Sequence, residues 1–171
     1  MTIMQQTVLR LVSFFSVFVL SLSLSACGNA ISAEERADYE KIGEAVKASG
    51  LNGDSQKEFE QKFAAARNNE EVSAVAFEAA EKLEIMASQL KAFQPQSEKG
   101  TIMHGHFLRG SSKGAALMRR FAEADGNDTQ ALKEIEAELE TANQEIEQGL
   151  VLFIEMTARN ILQTATDQYG K

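Results

Sequence analysis

The chain has 171 residues, with 25 acidic against 17 basic side chains and a formal net charge of −8. That length allows one ordinary domain, and the acidic balance excludes the basic footprint that nucleic-acid binding requires. A lone cysteine excludes an internal disulfide, so stability has to come from packing.

Residues 1–26 contain no acid and one base, Arg10, followed over residues 11–24 by an apolar stretch diluted with Ser13, Ser16, Ser21 and Ser23. This is the layout of a secretory signal peptide. As a helix the apolar stretch would span about 21 Å, short of the ~30 Å of a hydrocarbon core, so a cleaved leader is expected rather than a spanning anchor.

Leu24-Ser25-Ala26-Cys27 resembles the lipobox of bacterial lipoproteins: Leu, a small residue, Ala or Gly, then Cys. The resemblance is confined to the N-terminal segment. It implies a diacylglyceryl group on the Cys27 sulfur, cleavage just before Cys27 and acylation of the new amino terminus. One acyl chain anchors marginally, whereas three would be effectively permanent. In enteric members of that family an Asp directly after the cysteine marks retention at the inner membrane. Gly28 and Asn29 depart from that, so the resemblance implies the periplasmic face of the outer membrane. Cleavage removes one base and no acid, leaving a net charge of −9. The covalent lipid is the one non-protein group expected, with no other cofactor.

Residues 27–31 then form a short lipidated tether, since Gly28 to Ile31 reach about 14 Å when extended, and residues 32–171 form the domain. Ser32-Ala33-Glu34-Glu35 is a capping box. It opens a first helix running to about residue 49, with Tyr39, Ile42 and Val46 on one face. Gly50 supplies the left-handed residue that closes such a helix. A short second helix, from Asp54 or Ser55 to about residue 68, carries Phe59 and Phe63. A third begins near Asn69 and presents Val72, Ala76, Ala79, Leu83, Met86, Leu90 and Phe93 at alternating gaps of three and four. Pro95 stops it, and residues 94–100 read as a polar turn.

Around Asp125-Gly126-Asn127-Asp128, two apolar series reflect onto each other as an antiparallel helical hairpin requires. Phe121, Met118, Gly114, Gly110, Phe107 and Met103 oppose Leu132, Ile135, Leu139, Ala142, Ile146 and Leu150, with residue numbers summing to 253, or 252 for Gly110 with Ala142. The charges reflect as well. Residues 101–122 hold Arg109, Lys113, Arg119 and Arg120 with no acid, whereas residues 133–147 hold six glutamates and one lysine. The same register places Arg119 beside Glu134, Lys113 beside Glu140 and Arg109 near Glu145. Exposed pairs of this kind select partner and register more than they hold a fold. The apolar stripe continues through Phe153, Thr157, Ile161 and Ala165, so the last helix is expected over residues 129–168, with the first three helices covering its far half. Residues 132–140 also alternate apolar and charged side chains as a strand would, but the longer helical period outweighs nine residues of alternation. The expected fold is all-α: an elongated antiparallel bundle of about five helices that ends in a long helical hairpin.

Several motifs carry less chemistry than their letters suggest. His104 and His106 beside Met103 and Met118 could serve a soft metal, yet on a helix residues two apart diverge by about 200°. They therefore read as surface histidines first and weak metal candidates second. The Glu-x-x-His pair of di-iron bundles does not occur. Ser88-Gln89-Leu90-Lys91 has the Ser-x-x-Lys spacing of penicillin-recognising enzymes without the other two motifs of that set. Gly105 to Gly110 lacks the lysine of a phosphate loop, Gly110-x-x-x-Gly114 reads as close packing of soluble helices, and the turns at 52–54 and 125–128 lack the twelve-residue calcium pattern.

The sequence thus points to a membrane-anchored envelope lipoprotein whose helical domain is not an enzyme and binds another envelope protein. A small-ligand or metal carrier, and a periplasmic inhibitor or immunity protein, are the alternative readings.

Overall fold

The computed structural model describes residues 31–52 and 54–169. The expected leader, Cys27 and residues 28–30 lie outside the described residues. Five helices follow in chain order: α1 (Ala33–Ser49), α2 (Ser55–Ala65), α3 (Asn69–Lys91), α4 (Glu98–Glu123) and α5 (Thr129–Tyr169). There is no strand among the described residues, so the alternation over residues 132–140 is helical. The chain is an all-α bundle.

Local chemistry sets each boundary. Ser32 and Glu35 form the reciprocal capping box at the start of α1, with bonds of 3.0 and 2.9 Å, and Gly50 adopts φ 71° to close it. The second helix stops at Ala65, short of the expected residue 68. Asn68 instead caps α3: its backbone is extended and its side-chain oxygen accepts the Glu71 N–H at 2.9 Å. Ser97 does the same for α4, accepting from Gly100 N–H at 2.9 Å. Residues 98–100, expected as turn, therefore belong to the first turn of α4. Asp128 caps α5 by accepting the Ala131 N–H at 3.0 Å.

The middle of the bundle is α4, which packs against α3 on one side and α5 on the other. Every member of the α3 stripe from Val72 to Leu90 is buried, as are both reflected series of α4 and α5. Gly110 nests against Ala142 and Ile146 of α5, and the Phe107 ring lies over Gly149. Of the first three helices, α1 is the one that covers the far half of α5. Its Tyr39 stacks on Phe153 at 4.5 Å between ring centroids and its hydroxyl meets the Thr157 hydroxyl at 3.0 Å. The short α2 instead packs on α3, where Phe59 is fully buried under Lys62 and Lys82. One helix on one side leaves part of α5 uncovered: Val151 and Ile161 are each 58% exposed.

Candidate functional site

The two histidines sit about two turns into α4 and face opposite neighbours, as helical geometry dictates. His104 Nε2 lies 2.8 Å from the Leu90 carbonyl oxygen, which can only accept, so this nitrogen carries the proton. Its ring meets Phe93 edge-on. His106 Nδ1 donates to Glu145 Oε2 at 2.8 Å. Among the described residues no three His, Cys, Asp or Glu side chains gather as a metal ion would need, and the two rings cannot share one ion from these positions.

Glu145 is the centre of a small polar cluster between α4 and α5. The same carboxylate oxygen receives Arg109 Nε at 3.1 Å and Nη2 at 2.8 Å. The Arg109 bonds hold the Glu145 carboxyl below its ordinary range; partial burial works against this and the His106 bond adds to it. Arg109 thus meets Glu145 across the hairpin. Arg119 does not meet Glu134: it grips Glu84 of α3 with two bonds, from Nε at 2.5 Å and Nη2 at 2.7 Å. The reason is rotational. Adjacent helical positions differ by 100°, so Arg120 faces α5, where it bonds Glu138 at 3.0 Å, while Arg119 turns toward α3. Nor do Lys113 and Glu140 pair among the described residues.

The Glu84–Arg119 pair forms one end of an open cleft of about 380 Å³ between α3 and α4. Ala87, Ala115 and Ala116 leave the space, and Ser88, Lys91 and Ser112 line it. The Ser112 hydroxyl oxygen is buried without a hydrogen-bond partner among the described residues. Ser88 and Lys91 stand one turn apart on exposed helix surface. Both walls are helix sides, whose backbone N–H groups are already committed to intrahelical bonds, so the cleft offers no backbone donor pair for an oxyanion.

A buried carboxylate that sequence reasoning missed ties the bundle together. Asp38 of α1 is 3% exposed and accepts from Gln96 N–H, Ser97 N–H and the Ser97 hydroxyl at 2.7–3.0 Å. It therefore caps the N-terminus of α4 from another helix, where a negative charge also suits the helix dipole. The signal was present: Asp38 is four before Ile42 and seven before Ala45, on the buried face of α1. Gly100 is required beside it, because a Cβ there would run into the Asp38 carboxylate.

At the other extreme of the chain's path, Ile31 is buried and its N–H donates to Gln163 Oε1 at 3.0 Å. The first described residue is thus fastened beside the C-terminal end of α5. Comparison with protein-family models, curated proteins and solved structures finds no match.

Proposed function

We propose that this chain is a lipid-anchored, non-catalytic module of the bacterial envelope, held through Cys27 and presenting its helical surface to another envelope protein. The observation that carries the reading is the Ile31–Gln163 bond. Four residues after a lipidated Cys27, the chain would meet the bundle at one end. The hairpin turn at residues 124–128 lies at the opposite end, about 50 Å along α5 from Gln163 at standard helical rise. A tether at one extremity leaves the far hairpin and its glutamate-rich face open to a partner while the anchor stays in lipid. Outer-membrane attachment follows from the lipobox resemblance and from Gly28 and Asn29.

Two experiments test this. Cys27→Ser should abolish membrane attachment or leave an uncut precursor in fractionated cells; a cleaved variant still in the outer-membrane fraction would contradict the anchor. Cross-linking in cells from residue 127 should capture a discrete envelope protein, whereas recovery of lipid or self adducts alone would contradict the partner.

A second reading, a carrier for a small ligand, is favoured by the unpartnered Ser112 hydroxyl in the α3–α4 cleft. Calorimetric titration with short carboxylates would exclude it if no heat beyond dilution appeared.

A further inference from the structure

The chain holds seven asparagines, and one of them is followed two positions later by a serine or threonine: Asn127-Asp128-Thr129. That spacing, with a residue other than proline between, is the acceptor pattern for N-linked glycosylation in exported proteins. Three letters recur by chance, so the position in the fold has to decide. Asn127 stands in the turn between α4 and α5, and both it and Asp128 are exposed. By contrast Asn143 is buried and Asn160 half-buried within α5, and Asn68 is occupied as the cap of α3.

The bonds that shape this turn stay within it. Asp125 Oδ1 accepts the Asn127 backbone N–H at 2.9 Å and an amide N–H from Asn127 Nδ2 at 3.1 Å. The Asp125 carbonyl accepts the Asp128 N–H at 2.9 Å, and the Asn127 carbonyl accepts the Thr129 N–H at 3.0 Å. These four bonds tie the turn to no other part of the bundle, so it can open without parting two helices. Exposed loop tips are where such opening and added bulk are tolerated best. A transferase has to draw its acceptor asparagine into its own site, which the middle of a helix would resist. The tip also lies about 50 Å along α5 from Gln163 at standard helical rise. A bulky group there stays clear of the end where Ile31 is fastened.

We propose that Asn127 is the acceptor for an N-linked glycan. The donor is a sugar carried on a lipid diphosphate, and the enzyme is a membrane-bound transferase of the compartment that receives the chain. Asn127 Nδ2 bonds to the anomeric carbon as the bond from that carbon to the diphosphate oxygen breaks. The lipid diphosphate leaves with the electron pair, and a proton of Nδ2 passes to a base of the transferase. Thr129, the first residue of α5, supplies the hydroxyl that the pattern requires. The proposal rests on the exported-lipoprotein reading for its compartment, and its test separates the two.

The purified whole chain is incubated with a bacterial oligosaccharyl transferase and its lipid-diphosphate donor, and the peptide that holds Asn127 is weighed. The N-terminal peptide is weighed from the same chain recovered from cells that make both. The expected result is one glycan on the Asn127 peptide, absent from Asn127→Gln and Thr129→Ala and kept in Thr129→Ser, with circular dichroism spectra alike for all four chains. A bare Asn127 under conditions that modify a control acceptor peptide, or an equal yield from Thr129→Ala, overturns the proposal. With the chain beginning at a lipidated Cys27 and Asn127 bare, the anchor stands and the acceptor fails. With the chain beginning at Met1 and Asn127 modified by the purified transferase, the acceptor stands and the anchor fails.

Discussion

Gly110 is where α4 and α5 come closest, and an added methyl group there measures how closely. A Cβ on Gly110 would stand 2.5 Å from Ile146 Cγ1, 2.9 Å from the Ala142 carbonyl oxygen and 3.0 Å from the Ile146 nitrogen. Two of these neighbours are backbone, so rotating a side chain cannot relieve the contact and the helices have to separate. Overpacking costs about 1–3 kcal/mol, and the backbone contacts put this site at the upper end. Alanine gains about 1 kcal/mol over glycine inside a helix, so Gly110→Ala should be destabilising by about 2 kcal/mol. Gly105, five residues earlier on the same helix, is the control. Its Cβ would meet only the exposed end of the Arg109 side chain, at 3.0 Å, so Gly105→Ala should keep most of the helical gain. At roughly 3–4 °C per kcal/mol for a domain of this size, Tm should fall by about 6–8 °C for Gly110→Ala and rise by about 3 °C for Gly105→Ala. Thermal unfolding of the domain from Gly28 onward, followed by circular dichroism at 222 nm, reads both. Equal increases in Tm for the two variants would refute the close approach.

The Asp38 cap should be worth more than any surface charge: Asp38→Asn should be destabilising by about 1–3 kcal/mol in urea unfolding, against less than about 0.5 kcal/mol for the exposed Glu44→Gln. The partner of Arg119 is tested by charge reversal. Arg119→Glu should be rescued by Glu84→Arg and not by Glu134→Arg, and strict additivity with Glu84 would mean that the two side chains do not touch. For Glu145, a folded pKa below the ordinary 4.5 means that its contribution is complete above the unfolded value and is lost as pH falls through the lowered folded value. Between neutral pH and about pH 3, Glu145→Gln should therefore lose less stability than the parent; parallel urea-midpoint curves would contradict the Arg109–Glu145 contact.

Patterns that depend on near neighbours were legible in the sequence. The Ser32–Glu35 box, the left-handed Gly50, the α3 stripe ending before Pro95 and the Asp125–Asp128 turn each act over a few residues. The six-layer reflection of α4 onto α5 was also legible, because an antiparallel hairpin has one simple register. The reflection misled where α4 has two neighbours. It assigned Arg119 to α5, since nothing in the local spacing says that the adjacent Arg119 and Arg120 serve different helices. It also matched Lys113 with Glu140, which do not pair among the described residues. Asp38 read as an ordinary polar residue of α1 because its partners, Gln96 and Ser97, are nearly 60 positions away. His106 joined Arg109 on Glu145 for a similar reason: the reflection compared only lysines, arginines and acids. The α3–α4 cleft arises from three alanines, and small residues at helix contacts do not announce an opening until the neighbouring helix is in place.

The lipid anchor, the envelope location and the protein partner all turn on the state of Cys27. Mass analysis of the N-terminal peptide, recovered from the membrane fraction of cells making the whole chain, measures it directly. The predicted peptide begins at Cys27, with a diacylglyceryl thioether on sulfur and an acyl group on nitrogen. A chain that still begins at Met1 and carries a free Cys27 thiol would contradict all three.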